Sequence, residues 1–111
     1  MTVGLVVALQ CARAANAGVF VSIRNAGSSP LQDVRVVAGD ATVDLGDIRE
    51  HGRRLARIVV DEEGEVYVFV NATDGTERVR EAGVYLEPRT LGWIRIQMNA
   101  DGVVSVQDWS F

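Results

Sequence analysis

His51 is the only histidine in this 111-residue chain and Cys11 the only cysteine. Any Ser-His-Asp or Cys-His relay would have to be built from them. His51 stands in a charged stretch, Arg49 to Arg54, and Cys11 in a distant apolar run, so the spacing offers no triad. A lone cysteine cannot form an internal disulfide, and in such a run it acts as a small hydrophobe.

Asp61, Glu62, Glu63 and Glu65 could offer carboxylate oxygens to a hard cation. Their spacing lacks the alternation of an EF-hand loop, and a solvated turn is the plainer reading. Arg49, Arg53, Arg54 and Arg57, with Glu50 among them, form the densest positive cluster. It reads either as an anion or phosphate contact or as a solvated loop and strand face. Asn71, Ala72 and Thr73 spell a glycosylation acceptor, which matters only in a eukaryotic secretory route. The chain has neither a phosphate-cradling Gly loop nor a Cys/His pattern for zinc, and no cofactor is expected.

Trp93 and Trp109 suit ligand stacking, as in carbohydrate-binding sandwiches. Trp93 lies on the opposite parity from Ile94, Ile96 and Met98 and is expected to face outward, with Tyr67 and Phe69. If these three share one sheet face, the patch is either covered by the N-terminal segment or is a contact site. The candidate contact residues are therefore Tyr67, Phe69, Trp93, Arg49, Arg53 and Arg54, and no residue is assigned a catalytic role.

The elements that position these residues read as strands. From Gly18 onward apolar residues recur with a period of two: Val19, Val21 and Ile23; Val34 and Val36; Val43 and Leu45; Ile58 and Val60. Val66, Val68 and Val70 alternate with Tyr67 and Phe69, so both faces of that run are apolar and it belongs inside a sheet. Ile94, Ile96 and Val104 complete the expected core. Turn chemistry separates the runs: Asn25 to Pro30, Gly39-Asp40, a loop over Gly46 to Gly52, Asp61 to Gly64, Asp74-Gly75, and Asn99 to Gly102. Strands are expected at Thr76–Glu81 and Gly83–Leu86, with a last one ending at Val106. About eight short strands at spacings of roughly 8–12 residues predict an all-β sandwich. Nothing between them has the 10–15-residue helical pattern of a parallel α/β sheet.

The stretch Phe20 to Val36 resembles the opening of the CARDB-like and fibronectin type III-like adhesion domains: an apolar strand, an Asn-x-Gly turn, then Leu31-x-Asp33-Val34-x-Val36. Leu45-Gly46-Asp47-Ile48, then Gly52 and an apolar strand to Val60, is similar to their second half-motif, with His51 where a Pro normally precedes the Gly. The likeness spans about residues 19–107 and implies an immunoglobulin-like sandwich of about seven or eight antiparallel strands. It also implies a kinship with small bacterial proteins that carry one such domain outside a membrane helix, and it transfers no catalytic residue.

Ahead of the sandwich (18–111), residues 1–17 form an apolar segment whose first twelve residues carry no charge. It is short of the 20 or so apolar residues that cross a membrane. Three uses remain open: half of a membrane anchor extended ahead of Met1, a helix or strand packed on its own domain, or an arm that packs on neighbouring copies.

The chain is one domain by length and can bury a core without disulfides or metals. Hydrophobic residues make up 48% and charged residues 23%, which fits a folded globular chain. The net charge of -4 argues against a dedicated nucleic-acid binder. All eleven basic residues are Arg, a bias that either a GC-rich genome or a use for bidentate anion contacts produces.

Three functions are carried forward. One is a non-enzymatic protein-interaction module, extracytoplasmic or membrane-associated. One is a structural assembly subunit, such as a filament or virion-decorating protein, that self-associates through residues 1–16, in the cytoplasm or outside the cell. One is a carbohydrate-binding module. An enzyme is not expected.

Overall fold

The computed structural model of the chain describes residues 18–71 and 74–110. Eight strands fill them: β1 (Gly18–Asn25), β2 (Leu31–Ala38), β3 (Ala41–Ile48), β4 (Arg53–Ile58), β5 (Gly64–Asn71), β6 (Glu77–Leu86), β7 (Leu91–Asn99) and β8 (Gly102–Ser110). They form two four-stranded sheets, β4-β1-β7-β8 (sheet 1) and β3-β2-β5-β6 (sheet 2). The fold is an all-β sandwich, as the period-two pattern predicts. Every pairing is antiparallel except one: β1 runs parallel to β7.

The inward parity of each strand builds one core. Val21, Ile23, Val34, Val36, Ile58, Val60, Val66, Val68, Val70, Ile94 and Ile96 are all buried there, as expected. Val43 and Leu45 are only half-buried, because β3 is the outermost strand of sheet 2 and lacks a neighbour on one side. Val104 lies outside the described side chains. Val19, Leu31, Ala38, Ile48, Ala82, Val84, Leu86 and Met98 complete the core. As expected, β5 lies inside its sheet, between β2 and β6.

Four boundaries differ from the sequence reading, the first being that the strand expected to run to Val60 ends at Ile58. β3 continues through Gly46 to Ile48 because Gly46, at φ 72°, absorbs a bulge that lets Ile48 return to the core. The runs expected at 76–81 and 83–86 are one strand, β6, in which Gly83 (φ 73°) makes a bulge opposite Glu65–Tyr67 rather than a break. β8 runs on to Ser110, so Trp109 belongs to sheet 1 as the cross-strand partner of Trp93.

Asn25, at the end of β1, is fully buried and ties four segments together. Its amide donates to the carbonyls of Ser29 (2.7 Å) and Ile48 (3.1 Å), and its Oδ1 accepts from the Gly27 N–H (2.9 Å). Its backbone carbonyl accepts from the His51 N–H at 2.9 Å. His51 sits at φ 59°. A proline there could neither reach that φ nor donate.

Candidate functional site

Parity divides the outward side chains between two faces on opposite sides of the sandwich. On sheet 1 the register aligns Arg57, Phe20, Trp93 and Trp109 in one row across all four strands. The next rows are Leu55, Ser22, Arg95, Gln107 and then Arg53, Arg24, Gln97, Ser105. The rings of Phe20 and Trp93 stack with centroids 5.1 Å apart. The Arg95 guanidinium lies 5.7 Å from the centre of the Trp109 ring. Phe20, Trp93 and Trp109 remain 37%, 38% and 48% exposed, and Leu55 is 56% exposed. These rows hold four arginines and no carboxylate.

The outer face of sheet 2 has the opposite sign. Its rows are Asp44, Arg35, Phe69, Val79 and Thr42, Val37, Tyr67, Glu81, with Glu65 beside Tyr85 and Asn71 beside Glu77. The one arginine, Arg35, is engaged: it pairs with Glu77 at 2.6 Å and lies over the Phe69 ring at 5.3 Å. The Tyr67 hydroxyl donates to Glu65 at 2.9 Å, and that bond, with the Glu65 charge, raises the phenol above its ordinary pKa. Desolvation and the neighbouring Glu63 carboxylate raise Tyr85 likewise.

The residues singled out from sequence therefore do not form one patch. Tyr67 and Phe69 lie on sheet 2 and Trp93 on sheet 1, so the shared aromatic face is corrected: parity separates inward from outward but does not say which sheet a strand joins. Arg53 faces outward on sheet 1 with Arg57. Arg54 takes the inward parity of Ile23 and stays exposed because β4 is an edge strand. Arg49 is exposed in the β3–β4 turn. Phe20, Arg24 and Arg95 were missed. The signal was present in part, since Phe20, Ser22 and Arg24 share a parity, but the pairing of β1 with β7 was not legible.

All four sheet edges are blunted. Arg54 on β4, Arg78 and Arg80 on β6, and Asp108 on β8 all stand at inward parity, opposite Ile23, Val70, Val68 and Ile94. Charges in such positions oppose pairing with another chain's strand. β3 is interrupted by its Gly46 bulge.

The candidate chemistry is dispersed. His51 is exposed, with its backbone N–H used in the turn. In the acidic turn the backbone N–H groups of Asp61 and Glu62 donate to the Asp40 carboxylate at 3.0 and 3.1 Å, which lowers the pKa of Asp40, Glu62 contributing most. Among the described residues no group of three or more His, Cys, Asp or Glu side chains is placed to hold a metal ion. A recess of about 230 Å³ between the ends of β6 and β8 is lined by Val84, Leu86, Trp93, Ile94, Asp108 and Trp109, among others. Cys11, Ala72, Thr73 and the whole segment 1–17 lie outside the described residues, and with them the readings of that segment as anchor, core element or assembly arm. Among the described residues no helix is long and apolar enough to cross a membrane.

No protein-family model and no curated protein matches the chain. Its fold is similar to a solved structure described as the NMR structure of the protein from Eubacterium rectale, with a TM-score of 0.54 at 10% identity, covering 85% of this chain and 88% of that one.

Proposed function

We propose that the chain is a non-enzymatic protein-interaction module whose contact surface is the outer face of sheet 1. The observation that carries this reading is the row Phe20, Trp93, Trp109: three exposed rings, two of them stacked, set among Arg24, Arg53, Arg57 and Arg95 with no carboxylate among them. Exposed aromatics flanked by arginine are the composition of interface anchors. Arginine also suits bidentate contact with a partner's carboxylates. The likeness of residues 20–36 to CARDB-like and fibronectin type III-like adhesion domains supports the same reading, and with it a place outside the cytoplasm.

The test compares the full chain with the Trp93→Ala/Arg95→Glu variant, immobilised at equal density in a cell extract. Proteins held by the first and released by the second are expected. Identical retention would remove this face from the function.

The aromatic row also favours a second reading, sugar binding through stacked rings. A shift in tryptophan fluorescence on titration with a glycan panel would support it. Fluorescence that ignores the panel would leave the protein partner.

A further inference from the structure

We infer that the partner of the basic face is a second copy of this chain, presenting the acidic outer face of sheet 2, so that copies stack face to face in an open row. The inference rests on the reading of sheet 1 as the contact surface and names what sits on it.

Charge complementarity argues for it. The face of sheet 1 offers Arg24, Arg53, Arg57 and Arg95 around its rings. The face of sheet 2 offers Asp44, Glu65, Glu77 and Glu81, with its single arginine already paired to Glu77. Each face sets its charges around an apolar centre: Phe20 and Trp93 on one, Tyr67, Phe69 and Val79 on the other. Two copies of the same face would repel, whereas unlike faces attract and register.

The size of the contact sets its strength. Four strands about 4.8 Å apart and eight residues long at about 3.3 Å each cover roughly 500 Å² per partner. That is below the roughly 800 Å² of a standard interface, so association is weak and depends on concentration. The geometry sets its form. The two faces lie on opposite sides of one sandwich, so a dimer leaves one of each unused and growth continues. The inward-pointing charges of Arg54, Arg80 and Asp108 disfavour growth through the sheet edges.

The experiment is sedimentation velocity on the full chain from about 10 µM to 1 mM, the range expected of a small interface. In low salt the average mass should rise without a plateau at the dimer. In about 0.5 M NaCl it should fall towards the monomer, since exposed charge pairs are screened. Arg53→Glu/Arg57→Glu/Arg95→Glu leaves one arginine against three carboxylates and reverses the face of sheet 1, and Glu65→Arg/Glu81→Arg turns the face of sheet 2 net positive. Each alone should be monomeric. An equimolar mixture should associate again, because every contact then joins unlike faces. Recovery in the mixture also shows that both variants are folded. A wild-type chain that stays monomeric throughout overturns the inference. So does a dimer plateau, association untouched by either reversal, or a mixture that stays monomeric. None of these bears on the extract experiment, which reads the sheet 1 face against other proteins.

Discussion

Replacing Asn25 with alanine should be among the most damaging single changes in the domain, although it removes only a short polar side chain. Asn25 is fully buried, and its amide makes three hydrogen bonds, to Ser29 O, Ile48 O and the Gly27 N–H. Each contributes about 1 kcal/mol net, and each backbone partner left buried and unpaired adds to the loss. The expected destabilisation is roughly 3 kcal/mol, a large share of a typical domain's roughly 5–15 kcal/mol. For a domain of this size it would lower Tm by roughly 12–24 °C. Urea unfolding followed by tryptophan fluorescence would measure it as a lower midpoint at unchanged slope. Asn71→Ala is the control, since its amide bonds Asp33 at the surface; it should change stability by less than about 0.5 kcal/mol. Asn25→Asp adds a sign. A carboxylate would keep the bond from Gly27 but aim charge at two carbonyls in a buried site, so its pKa would be raised. The variant should therefore be relatively more stable near pH 4 than at pH 7, losing stability as pH rises through that raised value. A loss below about 1 kcal/mol for Asn25→Ala would refute the claim that this side chain ties β1, β3 and the following loops together.

Val68→Ala empties a fully buried site inside sheet 2 and should cost about 2 kcal/mol by urea unfolding. A Cβ on Gly64 would lie 2.5 Å from the Gly39 nitrogen, so Gly64→Ala must push two turns apart and should cost roughly 1–3 kcal/mol. Gly83→Ala meets open space and only the strain of its φ of 73°, about 1 kcal/mol, and thermal melts should rank the two in that order. Asp40 has a lowered pKa, so its contribution is present above the ordinary value of 3.8 and fades as pH falls through the lower folded value. The stability gap between wild type and Asp40→Ala should therefore close on acidification below about pH 3.8, read by thermal melts across pH.

The sequence made legible what local alternation encodes. Val66, Val68 and Val70 against Tyr67 and Phe69, or Ile94 and Ile96 against Trp93 and Arg95, declare strand and parity together. Failures came where meaning depends on another segment. Asn25 reads as turn chemistry, and only the arrival of Ile48 and His51 turns it into a buried junction. Gln107 and Asp108 hide the last part of β8, because an edge strand with one wet face need not carry its apolar alternation to its end. The candidate site divided for the same reason. Tyr67 and Trp93 are both outward, but parity is a property of one strand, whereas a shared face is a property of the sheet order. Phe20 joins Trp93 only through a parallel pairing that no turn between them specifies.

That pairing also bears on how the chain reaches its fold. β1 is an inner strand of sheet 1, held between β4 and β7. Its β7 partner begins only at Leu91, near the end of the chain. During synthesis β2–β3 and β5–β6 can form as each emerges, while β1 waits with one edge open and Val19, Val21 and Ile23 incompletely covered. Long-range β closure of this kind places folding on the order of milliseconds to seconds rather than microseconds. A nascent chain stalled before Leu91 would display an apolar strand edge to any neighbour, which makes the unfinished protein, more than the finished one, the species in need of a chaperone.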